Sequence, residues 1–122
     1  MITTNIAGDI EIKDHTLAFE MPVLTHGGNE VLLDEFDSTV YLGAKYTITT
    51  TNEIGQIEIN ELMVVQDGTQ SFVRSTATLN NISSNTYVSI FRSELLRGYV
   101  RVFVTSVGNR NNTKFFRIMF KK

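Results

Sequence analysis

Two histidines, one run of carboxylates and four tyrosines are the residues of this 122-residue chain best equipped for chemistry. An imidazole titrates near neutral pH and ligates metals, so His15 and His26 are candidate bases or ligands. They share no ligand spacing such as H-x-x-x-H; His15 follows "KD" in a turn and His26 adjoins Gly27-Gly28. Both read as surface-loop histidines, and nothing in the sequence favours a Ser-His-Asp arrangement around either. There is no Walker glycine loop and no G-x-G-x-x-G. Glycoside hydrolysis needs two carboxylates flanking a cleft, and none of the 13 present is singled out as a pair. Asp34, Glu35 and Asp37 in "LDEFDST" (33–39) are the densest carboxylate group. Alternating oxygen ligands suit calcium, but the glycine and the ligand spacing of an EF-hand loop are lacking. The preferred reading is a turn in which the Asp37 side chain caps backbone donors. "NIS" (81–83) and "NNT" (111–113) match glycosylation sequons, a pattern with meaning only in a secreted chain. Exposed tyrosines stack on sugars, which makes Tyr41, Tyr46, Tyr87 and Tyr99 a candidate carbohydrate platform. With no tryptophan and with these tyrosines on strands, core or cross-strand packing is the preferred reading.

The elements that carry these residues read as strands. Period-2 alternation runs through almost the whole chain and helix-length patterns are absent. A short hairpin is expected over 9–13 and 16–21, with Pro22 ending its second strand. "THGGN" (25–29) reads as the linker between this N-terminal arm and the rest. In "YLGAKYTITTT" (41–51), Ala44, Tyr46 and Ile48 share one face and Lys45, Thr47 and Thr49 the other. "QIEINELMVV" (56–65) starts with Ile57 and Ile59 on one face and ends in four apolar residues that alternation cannot sort. Either that strand is buried on both faces, or a bulge near Asn60-Glu61 shifts its register. "VVQDGTQSFV" (64–73) reads as a hairpin with a type I′ turn at Asp67-Gly68, its four apolar flanking residues in the core. Asp67 is there a turn residue and not an acid or a ligand. After the polar loop "NNISSN" (80–85), strands are expected over 86–94, 96–107 and 114–122. Val100, Val102 and Val104 oppose Tyr99, Arg101 and Phe103, and Phe116, Ile118 and Phe120 oppose Phe115, Arg117 and Met119. Seven strands after residue 29 predict an all-β fold. It would be an antiparallel β-sandwich, jelly-roll or Ig-like, with an extended N-terminal arm over 1–27 and the sandwich over 28–122.

Length and composition fit one soluble globular domain, with 42% hydrophobic residues and no apolar run of membrane-spanning length. No signal-peptide pattern opens the chain, and the absence of cysteine removes disulfides and thiolate metal sites. The net charge of −2 hides an asymmetry. Residues 1–67 hold 12 carboxylates against two lysines, a balance of −10, and residues 68–122 hold one carboxylate against nine cations, a balance of +8. Either early and late strands lie side by side with opposed charges, or the acidic part of one copy meets the basic part of the next. Nucleic-acid binding is disfavoured, because the cations are spread along strands beside an acidic half.

Three stretches, "FDSTVYLGAKYTITTTN", "INELMVVQDGTQSF" and "LRGYVRVFVTS", follow one another in an order that resembles a β-sandwich domain of tailed-phage virion structural proteins, best known from T-even-like cyanophages. Phe36, Asp37, Thr39, Tyr41, Ala44, Lys45 and Tyr46 match its first element; Glu61, Leu62, Val64, Val65, Asp67, Gly68 and Thr69 match its second. Gly98, Val100, Arg101, Val104 and Thr105 match the third, while Leu42-Gly43 and Gln66 depart from the common Arg-Ser pair and histidine. The similarity spans about residues 34–122. It implies a non-enzymatic structural protein of the virion, foremost a capsid decoration or cement protein on the head exterior. The alternatives are a tail, neck or fibre protein and a carbohydrate-binding module. The implied partners are other virion proteins, the major capsid protein or tail components, and further copies of itself, for instance as a trimer. Host glycan is a further candidate partner; nucleic acid, membrane, metal, cofactor and catalytic residues are not expected.

Overall fold

The chain is an antiparallel β-sandwich. The computed structural model describes residues 2–4, 9–12, 15–18, 23–82 and 86–122, with side chains over 23–82 and 86–122. Eleven strands follow in order: β1 (Ile2–Thr4), β2 (Asp9–Ile12), β3 (His15–Ala18), β4 (Leu24–His26), β5 (Val31–Asp37), β6 (Tyr41–Asn52), β7 (Ile57–Gln66), β8 (Ser71–Asn80), β9 (Ser89–Leu96), β10 (Tyr99–Ser106) and β11 (Asn111–Lys121). The large sheet runs β1-β2-β3-β11-β6-β7-β8, and β4 also pairs with β11. The small sheet runs β5-β10-β9. Seven strands follow residue 29, as the alternation predicts.

The inner faces build a core of Phe36, Ala44, Tyr46, Ile48, Leu62, Val64, Val100, Val102, Phe115 and Met119. These are alternate residues of their strands, because successive side chains of a strand point to opposite faces. Tyr46 and Phe115 meet edge-on with ring centroids 5.4 Å apart, a favoured aromatic geometry. The opposed sets expected in β6, β10 and β11 are observed.

Several expectations are corrected. Thr25 and His26 are not linker: β4 pairs with Asn111–Thr113 of β11, leaving residues 27–30 as the connection to β5. The expected N-terminal hairpin exists as β2–β3, and β3 continues the large sheet by pairing with Arg117–Phe120. The strand end expected at Pro22, and residues 83–85 of the polar loop, lie outside the described residues. Asp67-Gly68 is not a two-residue type I′ turn. Gln66 pairs with Ser71, so four residues form the loop, and of these only Gly68 has positive φ, at 89°. The Asp67 side chain holds this loop, its Oδ1 accepting from Thr69 N and Gln70 N at 2.9 Å each. Those two bonds lower its carboxyl below the usual range. The two-residue turn of the I′ kind lies instead at Arg97-Gly98, with φ of 53° and 83°, inside the stretch read as a strand from 96. Its Gly98 carbonyl accepts from both Ser38 N and Ser38 Oγ, tying the β9–β10 turn to the β5–β6 turn.

β7 resolves the ambiguity of 56–65 in an unanticipated way. Its alternation is unbroken, with Glu58, Asn60, Leu62, Val64 and Gln66 buried and Ile57, Ile59, Met63 and Val65 outward. A bulge does fall at Glu61/Leu62, but the extra residue is Thr76 of β8, so β7 keeps its phase. Hence Val64 faces the core and Val73 packs against it, while Val65 and Phe72 form an outward pair.

Gly43 marks the closest approach of β6 to β7. A Cβ there would run into the backbone carbonyl oxygen of Val64, which has no side-chain freedom with which to yield. Gly43→Ala is therefore expected to cost about 1–3 kcal/mol, measured as a lower urea midpoint, whereas Asp67→Asn keeps the capping oxygen and should leave the midpoint nearly unchanged.

Candidate functional site

The carboxylates of "LDEFDST" point in three directions. Asp37 caps the turn after β5, accepting from Thr39 N at 2.8 Å and Thr39 Oγ1 at 2.7 Å, which lowers its carboxyl below the usual range. Glu35 lies on the outer face of β5, with Arg101 Nε at 3.4 Å. Asp34 turns inward and accepts two bonds from Arg117 Nη1, at 2.9 and 2.8 Å, and one from the Tyr46 hydroxyl at 2.7 Å. Burial, and after it the Asp34 charge, push the Tyr46 phenol well above its ordinary value of 10. This group joins β5 of the small sheet to β6 and β11 of the large one. Sequence reading had no signal for it, because its three members are far apart along the chain.

A second buried carboxylate is Glu58 of β7, fully shielded from solvent. Its Oε2 accepts from Val88 N at 2.6 Å and Asn80 Nδ2 at 3.1 Å; its Oε1 accepts from Ser89 N at 3.0 Å and Asn60 Nδ2 at 2.7 Å. Four neutral donors thus hold the start of β9 against β7. Hydroxyls continue this polar layer: Ser89 Oγ meets Ser106 Oγ at 2.6 Å, and Thr50 Oγ1 meets Thr113 Oγ1 at 3.2 Å.

His26 closes the layer and is not the surface-loop histidine expected. It is buried, with Nε2 2.8 Å from Thr113 Oγ1 and Nδ1 3.0 Å from the Gly27 carbonyl. The imidazole fills a structural niche between β4 and β11. His15 falls in β3, and its side chain lies outside the described residues. Asn111 of the second sequon is also buried, its Nδ2 2.6 Å from the Gly108 carbonyl, so the folded chain does not present it for glycosylation. Asn81 of the first sequon is exposed, accepting from Ile57 N and donating to the Gly55 carbonyl.

The tyrosines divide. Tyr46 is core and Tyr41 packs edge-on against Phe36, as expected. Tyr99 sits on the outer face of β10, 44% exposed, and Tyr87 precedes β9 with 58% of its surface exposed.

Tyr87 stands at a cleft of about 770 Å³ between the edge strands β8 and β9. Leu62 and Asn60 of β7 form its floor, Val73 and Phe91 its apolar walls, and Ser75 to Asn80 its β8 side. One end is pinned by Ser71 Oγ and Ser93 Oγ at 2.8 Å, the other by Asn80 Nδ2 donating to the Thr86 carbonyl at 2.9 Å. None of the described residues lining the cleft carries a charge. The size of the cleft lies within the range of small-ligand sites. Neither a protein-family model nor a curated protein matches the sequence.

Glu58→Gln replaces one acceptor by an amide that faces a donor. The expected loss is about 1–3 kcal/mol of unfolding free energy, read from urea denaturation. The Tyr46 shift predicts an alkaline limb. Above about pH 10 the unfolded chain releases this proton while the folded chain retains it, so stability falls as pH rises. In Tyr46→Phe that part of the fall should vanish, which melting temperatures measured from about pH 8 to pH 11 will show.

Proposed function

We propose that the protein is a structural component of a tailed-phage particle, a decoration or cement protein present in many copies on the head exterior. The observation that carries the reading is the outer face of β7 and β8. Ile57, Ile59, Met63 and Val65 of β7 point outward beside Phe72 and Leu79 of β8, with Ile59 opposite Leu79 and Val65 opposite Phe72. An antiparallel sheet with one solvated face ordinarily turns polar residues to that side. The small sheet does so across its middle, where its outer face carries Glu35, Arg101 and Glu94 across its three strands and Arg92 pairs with Glu30 at 2.7 Å, while Tyr99 and Leu96 form an outward pair at one end. Glu61, paired with Lys45, and Arg74 divide the β7–β8 surface into two apolar clusters, Ile57, Ile59 and Leu79 on one side and Met63, Val65 and Phe72 on the other. Clusters of this kind fit a face covered by a neighbour. The resemblance to virion β-sandwich domains supplies the class of assembly, and its matched stretches include β7 itself.

A tail, neck or fibre position is the second reading, favoured by the uncharged cleft beside Tyr87, which gives the chain a place for a ligand as well as a packing face.

Quantitative mass spectrometry of purified virions distinguishes the two, with copies in the hundreds expected for a decoration protein. A value of a few per particle would move the protein to the tail. Ile59→Lys with Val65→Lys should abolish incorporation while the isolated chain keeps its melting temperature to within a few degrees. Normal incorporation of this pair would remove the packing face from the account.

A further inference from the structure

We infer that the cleft between β8 and β9 is a binding site for a neutral oligosaccharide. This holds independently of where in a particle the protein sits. The lining combines two chemistries and omits a third. Hydroxyl and amide side chains, Ser75, Thr76, Thr78 and Asn60 among them, supply groups that both donate and accept. Phe91, Leu62, Val73 and the ring of Tyr87 supply apolar surface. Formal charge is absent, so the cleft offers no partner to a phosphate, sulfate, carboxylate or ammonium ligand. A sugar without ionised groups has the matching surface, hydroxyls around the rim of each ring and C–H faces above and below it.

Two details single out the β8 side. Two of the hydroxyls there are loosely engaged: Ser75 Oγ lies 3.5 Å from Asn60 Oδ1 and 3.3 Å from Thr78 Oγ1, and Thr76 Oγ1 lies 3.4 Å from the Glu61 carbonyl. Bonds at such lengths are weak and cost little to exchange for a ligand. Thr76 is also the unpaired residue of the β8 bulge, a distortion that re-aims side chains and recurs beside functional sites. By contrast Asn60 at the floor is fixed, accepting from Thr78 Oγ1 at 2.6 Å and donating to Glu58. The cleft thus has a rigid base and an adaptable wall. Tyr87, more than half exposed at the mouth, offers a ring on which a pyranose can lie.

The test uses the full chain on a printed array of neutral and anionic glycans. The strongest neutral binder is then titrated into isotope-labelled protein and followed by two-dimensional NMR. Neutral glycans should bind, with shift changes concentrated at residues 75–80 and 86–91. Tyr87→Ala should weaken binding by about tenfold or more, and Ser75→Trp, which fills the cleft from an exposed position opposite Leu62, should abolish it. Both substituted residues are solvent-exposed, and an unchanged melting temperature verifies that each variant is folded. No binding to any neutral glycan, binding confined to sialylated or sulfated glycans, or equal affinity in both folded variants would overturn the assignment. Virion abundance bears on the decoration reading alone, so the two proposals fail separately.

Discussion

The sandwich depends on one buried carboxylate that has no cation beside it among its hydrogen-bond partners. Glu58 belongs to the large sheet, yet two of its four donors are backbone amides leading into β9 of the small sheet. Sheets in a sandwich ordinarily meet only through interdigitated side chains. Here a side chain of one sheet substitutes for a ladder partner of the other, which fixes where β9 starts and hence its register on β10. In the low-dielectric interior each of these bonds is electrostatically stronger than in water, and leaving one unmade is correspondingly costly. The Asp34 group repeats the principle on the other side of the core, with Arg117 and Tyr46 reaching across from the large sheet. Between these two anchors lies the apolar core.

That arrangement explains what the sequence disclosed and what it hid. Strand number and the facing of β6, β10 and β11 were legible, because in those strands apolar residues point in and the period of two is clean. β7 was not. Its inner row reads Glu58, Asn60, Leu62, Val64, Gln66, polar at both ends, while its outer row is apolar except at Glu61. Hydrophobicity therefore fails to report direction wherever a buried polar anchor and an apolar outer face fall on one strand. Gln66 shows the same at the turn, its Nε2 donating to the Ser38 and Tyr41 carbonyls and its Oε1 accepting from Gly68 N. His26 was misread for a related reason. Two glycines beside it signal a loop, and only the pairing of β4 with a strand 85 residues later buries it. The cleft was invisible for a different cause, since it is built from edges contributed by β7, β8 and β9 in a topology that no local pattern specifies.

The charge asymmetry finds much of its meaning inside the single chain. Three of the five ion pairs among the described residues, Glu30–Arg92, Glu35–Arg101 and Asp34–Arg117, join the acidic first half to the basic second half. β5 and Glu30 just before it carry the acidic partners, because β5 lies beside β10 and faces β11 across the core, so the reading of early and late strands side by side holds. The exposed pairs contribute little to stability individually. Their consequence is a solvated outer face on the small sheet, with Arg92 also stacked 4.4 Å above the Phe103 ring. The two outer faces of one molecule are thereby made unlike, the small sheet carrying the denser set of ion pairs and the β7–β8 face the larger share of exposed apolar side chains.

The same asymmetry of sheets produces the cleft. Three strands cannot span the inner face of a sheet that runs through β11, β6, β7 and β8, so the inner surface near β8 is left partly uncovered beyond β9. In a monomer without further use for that opening, larger side chains would close it. Instead the positions that could fill it are Ser75, Thr76 and Thr78, and a bulge shifts the register of the edge just there. Small hydroxylic residues at a bulged edge, over an amide held rigid by Glu58, are what a sugar-binding groove requires and what a simple sandwich edge does not.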